Sequence, residues 1–287
     1  MRIAFLGLGQ MGRRMVERLD PQETMIWNRT LDIVNQLGQK GYRPVPDLES
    51  GVREANVVIT MLRDHQAVRE VGERGLFLGL GRGQTWIDMT TGDPASAESF
   101  HALAASQGAR FVAAPVLGTL GPAAGGTLTV LVGGLPQDID AVHPLLERFG
   151  TVRRIGSPRQ ALVMKLIVNT VLAYYMESVS ESLPLADAEG LSRETVLEVL
   201  EASSVAAPVL RGKGKRWIGS EYANPEFPID LLAKDLGLMA ESGEQAGLGM
   251  PGVLALRDLF FAAATGNAGR QWDMSGVGEA LVRRTKP

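Results

Sequence analysis

The chain has 287 residues, 45% of them apolar, with 29 basic and 32 acidic side chains and a formal net charge of −3. That composition argues against disorder, and the near-balance of charge offers no basic surface for nucleic acid or an anionic membrane. Cysteine is absent, which excludes disulfides and thiolate chemistry, and His65, His101 and His143 are too widely spaced to read as a metal motif.

The first element expected is a strand at Arg2–Leu6, a short apolar run that stops at glycines and is too short for a secretory signal. Further strands are expected at Thr24–Trp27, Val57–Met61, Thr85–Asp88, Ala109–Val112, Thr127–Val132 and Val152–Ile155. Helical spacing falls between them at Gly12–Leu19, Leu31–Gln39 and Pro94–Gln107. Strands alternating with helices imply a largely parallel sheet, and the wholly apolar Val57-Val58-Ile59 fits a strand buried on both faces. After Gly156 the pattern becomes helical throughout. A long apolar-rich segment covers Arg159–Gly190, followed by Arg193–Ser203, Ile229–Gln245 and Pro251–Ala264. Pro184 is expected to kink or end the long helix. No stretch is expected to reach the length that spans a bilayer. The expected architecture is an α/β Rossmann-type domain at 1–157 and an all-α domain at 158–287, in a cytoplasmic protein.

Gly7-Leu8-Gly9-Gln10-Met11-Gly12 follows the first expected strand and opens the first expected helix. In a dinucleotide fingerprint one glycine makes the tight turn, one admits the pyrophosphate, and one lets helix and strand pack closely. A glycine-rich turn without a ligand is the alternative, weakened by the position between strand and helix. The second strand runs into Asn28-Arg29-Thr30, with no carboxylate between Thr24 and Leu31. A site for NAD usually has an acidic residue here to bind the ribose 2′-hydroxyl. Arg29 instead suits a 2′-phosphate, with Asn28 and Thr30 as hydrogen-bonding partners, so NADPH is the expected cofactor. The plainer alternative is a solvated arginine beside a threonine that caps the next helix.

Lys165 and Asn169 lie four apart, on one face of the long helix, among Leu162, Val163, Met164, Leu166, Ile167 and Val168. A lysine in so apolar a stretch either snorkels or acts chemically. Taken alone, the spacing favours snorkelling.

The whole chain to about Val253 resembles the β-hydroxyacid dehydrogenase family. The resemblance rests on the glycine fingerprint, Trp27-Asn28-Arg29-Thr30, Asp88-Met89-Thr90-Thr91, Ala114-Pro115-Val116 with Gly126-Thr127-Leu128, Met164 to Asn169, and Phe227-Pro228 with Lys234-Asp235. The motifs are most similar to the glyoxylate/succinic semialdehyde reductase branch. The resemblance implies a 6-phosphogluconate dehydrogenase-like fold and an oxidoreductase acting on a small carbonyl or hydroxyacid, assembled as a homodimer or homotetramer. It implies that Lys165 is the general acid and that Asn169 holds the substrate or the lysine. Met61, Leu62 and Thr91 would meet the cofactor, Lys234 would lie near it, and Asp235 and Phe227 would meet the substrate. In one loop the chain departs from the family. Leu117, in Leu117-Gly118-Thr119, stands where a serine commonly meets the substrate carboxylate, which implies a bulkier or less polar aldehyde or ketone. Lys213, in a basic stretch, is expected to touch phosphate or substrate, and Tyr174 and Tyr175 to line the cleft or pack between subunits. Trp217 and Trp272 are read as packing residues. Relatives that reduce imines usually carry Asp or Tyr at the position of Lys165, which argues against that activity. A non-catalytic NADPH-binding protein is the alternative from a different class, and 3-hydroxyisobutyrate dehydrogenase proper is the alternative within the family.

Overall fold

A computed structural model describes residues 1–266 and 271–282. The strands are β1 (Ile3–Leu6), β2 (Thr24–Trp27), β3 (Arg43–Pro44), β4 (Val57–Thr60), β5 (Thr85–Asp88), β6 (Arg110–Ala113), β7 (Val116–Leu117), β8 (Leu128–Gly133) and β9 (Gly150–Gly156). The helices of the same stretch are α1 (Gly12–Val16), α2 (Leu31–Gly38), α3 (Leu48–Glu54), α4 (His65–Val71), α5 (Phe77–Gly79), α6 (Pro94–Ser106), α7 (Leu120–Gly125) and α8 (Pro136–Leu146). Then come α9 (Pro158–Ala188), α10 (Arg193–Ala202), α11 (Pro208–Gly219), α12 (Ile229–Gln245), α13 (Pro251–Thr265) and α14 (Val277–Val282). The chain divides into two compact units, Met1–Lys165 and Leu166–Pro287, and the division falls inside α9.

The first unit is built on one sheet in the order β3-β2-β1-β4-β5-β6-β8-β7, with β9 added beside β8. The strands from β3 to β6 are parallel, β8 runs antiparallel to β6 and β7, and β9 is parallel to β8. The chain leaves β1 for β2 on one side and returns to β4 on the other, so the order reverses at β1. Ligands bind at such a switch point in open α/β sheets. Alternation along β1 sends Ile3 and Phe5 into one apolar core and Ala4 and Leu6 into another, so both faces of the sheet are covered. Helix α6 shows how sequence sets a boundary. Asp93 accepts from the N–H groups of Ala95 and Ser96, and Pro94 occupies the first helical position, where its missing N–H costs nothing.

The second unit has its own core. Ala173, Met176, Val179 and Leu183 of α9 pack with Leu232 and Leu236 of α12 and with Leu256 and Phe260 of α13. Two expectations about α9 need correction. Of the two outcomes expected at Pro184, a kink or an end, the end is excluded, because the helix continues a full turn to Ala188. A proline so near the end forfeits one hydrogen bond, which burial of Leu183 and Ala186 offsets. At 31 residues α9 is also long and apolar enough, by length and composition alone, to cross a membrane. Its buried residues show why it is so apolar: one face belongs to the protein core.

Lys213 also differs from expectation. Its ammonium is buried between Asp273 at 2.9 Å and Glu226 at 3.0 Å. Asp273 further accepts from the backbone of Glu226 and from both the N–H and hydroxyl of Ser275. The lysine is therefore committed to a structural cluster that joins α11 to two distant loops, and it is not available to phosphate. Tyr175 donates to the Val205 carbonyl at 2.9 Å, and Tyr174 packs against Gly252, where a Cβ would meet its hydroxyl. Trp217 is fully buried and donates to the Ser275 carbonyl, and Trp272 lies tilted against Tyr222.

Candidate active site

In the first unit the glycine fingerprint lies between β1 and α1. Gly7 has φ +107°, a conformation that favours glycine, and a Cβ on it would overlap the Met61 carbonyl. A Cβ on Gly12 would overlap the Gly7 carbonyl. Gly9 has nothing within 4 Å of a Cβ position, so its backbone faces open space. Two glycines are thus required by close packing and one leaves room for a ligand to approach. That is the cradle a pyrophosphate needs, and the residues present fit a dinucleotide.

The loop after β2 is tied to this turn. Asn28 accepts from the Leu8 N–H at 3.0 Å and donates to the Thr30 carbonyl at 3.1 Å. Its amide therefore fixes the shape of the loop in addition to any ligand contact. Thr30 stands at the N-cap of α2, yet its side chain makes no capping hydrogen bond. Arg29 is exposed and forms no ion pair or hydrogen bond among the described residues. Gln10 and Met11 complete the turn, with the Gln10 side chain holding Arg13 and Arg14.

Met61 and Leu62 follow β4, both half-buried. The Leu62 N–H donates to the Thr90 hydroxyl at 3.1 Å, which links them to the turn that carries Thr91. Asp88 ends β5 and serves that turn by accepting from the Thr90 N–H. Sequence reasoning missed the partner on its other side, His65, which had counted only as one of three scattered histidines. Local spacing gives no sign that residues 65 and 88 meet. The half-buried Leu117 ends β7 opposite Thr129, and the positive φ of Gly118, +128°, turns the chain toward Thr119 and α7.

In the second unit the structure brings together Asn169, Lys234 and Asp235. Asn169 Nδ2 donates to Asp235 Oδ2 at 2.6 Å, and Lys234 Nζ lies 2.8 Å from Asp235 Oδ1. Asn169 is 3% exposed and Asp235 4%. A carboxylate so deeply buried requires compensation of this kind: the Asn169 amide hydrogen-bonds one oxygen and the Lys234 charge stands beside the other. Lys165, 8% exposed, lies one turn before Asn169 on α9. Phe227 packs partly buried against the second core, and its N–H lies 3.3 Å from Asp273 Oδ2.

Residues 2–163 match the NAD-binding domain of 6-phosphogluconate dehydrogenase, and residues 160–281 match the NAD-binding region of NADP-dependent 3-hydroxyisobutyrate dehydrogenase. The chain is 32% identical to glyoxylate/succinic semialdehyde reductase 1 of Arabidopsis thaliana, with 98% of each chain covered. It is 29% identical to the 2-hydroxy-3-oxopropionate reductase of Escherichia coli, covering 98% of this chain and 97% of that one. Among solved structures it is similar to the 3-hydroxyisobutyrate dehydrogenase of Mycobacterium tuberculosis, with a TM-score of 0.87, 27% identity and coverage of 98% and 99%. The chain belongs to the β-hydroxyacid dehydrogenase family, as a nicotinamide-dependent oxidoreductase that acts on CH–OH groups.

Proposed function

We propose that this enzyme is an NADPH-preferring reductase that interconverts a small aldehyde or ketone, of the semialdehyde-acid type, and its hydroxy product. Lys165 is its general acid and base. The observation that carries the chemistry is a buried lysine one helical turn from a buried asparagine whose amide is held by Asp235. In reduction the bound nicotinamide supplies the hydride. The Lys165 ammonium donates a proton to the carbonyl oxygen as that oxygen gains charge, and in the reverse direction the amine takes the proton back. A positioned acid of this kind contributes about 10²–10⁴-fold. Asn169, its rotamer fixed by Asp235, orients the substrate or the lysine. Gly9 admits the pyrophosphate to the turn that Gly7 and Gly12 let close, and Arg29 and Thr30 receive the 2′-phosphate. That cofactor preference is supported by a cation with no ion pair or hydrogen bond among the described residues and a hydroxyl not used for capping.

Oxidation of NADPH, followed with glyoxylate, succinic semialdehyde and apolar aldehydes, tests this reading. Lack of turnover with every carbonyl and either cofactor would sink it. The variant Lys165→Ala is expected to lose about 10²–10⁴-fold in kcat while its Kd for NADPH stays within about twofold. Near-native kcat in that variant would mean that the lysine merely snorkels. A homodimer or homotetramer is part of the proposal, supported by Val171 and Tyr174, which lie exposed on α9. Sedimentation velocity distinguishes these assemblies from a monomer.

A further inference from the structure

Asp88 is a deeply buried acid, 2% exposed, at the end of β5. Its Oδ1 accepts from the Thr60 hydroxyl at 2.7 Å and from the Thr90 N–H at 3.1 Å. Its Oδ2 lies 3.0 Å from His65 Nε2. His65, 3% exposed, is the first residue of α4 and so closes the loop that begins at Met61. Its ring stands edge-on to Phe100 at 5.0 Å between centroids. On another side it rests against Gly92, where any Cβ would overlap the imidazole. The histidine therefore has a made-to-measure seat, and residue 92 must be glycine to leave space for it.

The contacts continue outward from this pair. Thr60, which hydrogen-bonds Asp88, also accepts from Trp86 Nε1 at 2.9 Å. Thr90, whose N–H is held by Asp88, accepts from the Leu62 N–H through its hydroxyl. The Met61 carbonyl presses on Gly7, the first glycine of the fingerprint. One carboxylate thus ties the ends of β4 and β5 to each other and, through Leu62 and Met61, to the turn after β1. The loop after β2 reaches this network through the turn after β1, where Asn28 accepts from the Leu8 N–H, and neither Arg29 nor Thr30 hydrogen-bonds Asp88 or His65 among the described residues.

We propose that His65 and Asp88 are positioning residues for the nicotinamide half of the cofactor site. The inference rests on the reading of this chain as a dinucleotide-dependent reductase. In a doubly wound sheet the loop after the second strand reads the adenosine ribose, and the dinucleotide crosses the switch point, so its other half meets the loops on the far side of β1. Those are the loops that Asp88 holds. The His65 ring, with Nε2 seated 3.0 Å from Asp88 Oδ2, anchors the far end of the Met61–Asp64 loop. Without that ring the buried carboxylate loses its polar neighbour on one side, which loosens the turn it shares with Thr90. Neither side chain touches the reacting atoms. Their effect is to keep the backbone at Leu62 and Thr91 in one conformation.

The test compares two ligands on the full chain. NADPH probes both halves of the site, whereas 2′,5′-ADP probes only the phosphate-bearing adenosine half. His65→Leu, which fills the seat without a polar atom, is expected to weaken NADPH binding about tenfold and to leave 2′,5′-ADP within about twofold, as loss of one polar partner of a buried charge should. His65→Gln, which returns an amide donor, is expected to recover most of the loss. Should His65→Leu fail to fold, Thr90→Val severs the link to Leu62 at nearly constant volume, and the same split is expected. Equal weakening of both ligands, or unchanged NADPH affinity, would overturn the inference. Failure of the native chain to bind either ligand would instead overturn the cofactor reading beneath it, and the inference with it.

Discussion

Arg29 sits about twenty residues beyond the fingerprint, where an NAD site usually has a carboxylate, and no carboxylate lies between Thr24 and Leu31. The replacement Arg29→Asp removes a cation and places a negative charge at the proposed 2′-phosphate site. Each charge-assisted contact is worth about 1.5–3 kcal/mol, so NADPH affinity should fall by about tenfold or more while NADH affinity holds or rises. Titration of both cofactors by fluorescence measures this directly, and equal native affinity for the two would remove the basis of the prediction. Leu117 bears on the substrate in the same way. Leucine offers no hydrogen bond to a carboxylate, and each extra methylene buried against it returns about 0.8 kcal/mol. The native enzyme is expected to use longer or more apolar aldehydes better than glyoxylate, and Leu117→Ser to shift the ranking toward small acids. An unchanged order of kcat/KM along a chain-length series would mean that Leu117 does not face the substrate. The placement of Arg29 just after β2 was legible in sequence because the turn after a strand carries its own signature. The role of His65 was not legible, because its meaning comes from a carboxylate 23 positions away that only the sheet brings near.

Helix α9 was readable as an element from its 3.6-residue spacing, including both of its ends to within two residues. Its passage through Pro184 was not, because local propensity weighs the lost hydrogen bond and cannot weigh the burial of Leu183. The same helix carries Glu177 and Glu181, one turn apart. A hydrogen bond that protonated Glu177 donates to Glu181, burial, and repulsion from the Glu181 charge push Glu177 up from its ordinary 4.5 to about 7. The folded chain therefore holds a proton that the unfolded chain has already released. This contribution to stability is complete below about pH 4.5 and fades as the pH rises through 7. Its size is reduced because both carboxyls are partly open to water. Glu181→Gln removes the like charge and should flatten the decline in stability between about pH 5 and pH 8. Urea midpoints across that range would show it, and parallel slopes for native and variant would exclude the pair as the source.

Across the molecule, the parallel order of the sheet followed from alternating segments, while β3 and β7, two residues each, gave no periodic signal to read. The clusters that bind distant segments were equally silent. Lys213 looked like one basic residue in an exposed run because its partner Asp273 is 60 positions away. Burial alone would raise the pKa of Asp273, but the Lys213 charge and the hydrogen bonds from Lys213 and Ser275 outweigh it and hold the carboxyl below its usual value. A group depressed in this way stabilises the fold above the unfolded pKa and ceases to do so as the pH falls through the folded one. Lys213→Met keeps the volume and removes the counter-charge, leaving a buried carboxylate without its ion-pair partner. Loss of one partner of a buried pair costs about 3–5 kcal/mol. Without the lysine, burial dominates and Asp273 takes up a proton more readily, which relieves the cost in acid. The deficit of the variant is therefore expected to be large at about pH 7 and to narrow toward about pH 4.5, where a neutral Asp273 no longer needs a cation. Urea denaturation of both proteins at the two pH values measures the gap. A deficit of equal size at both would mean that the lysine stabilises the fold through its packed hydrocarbon stem and not through its charge.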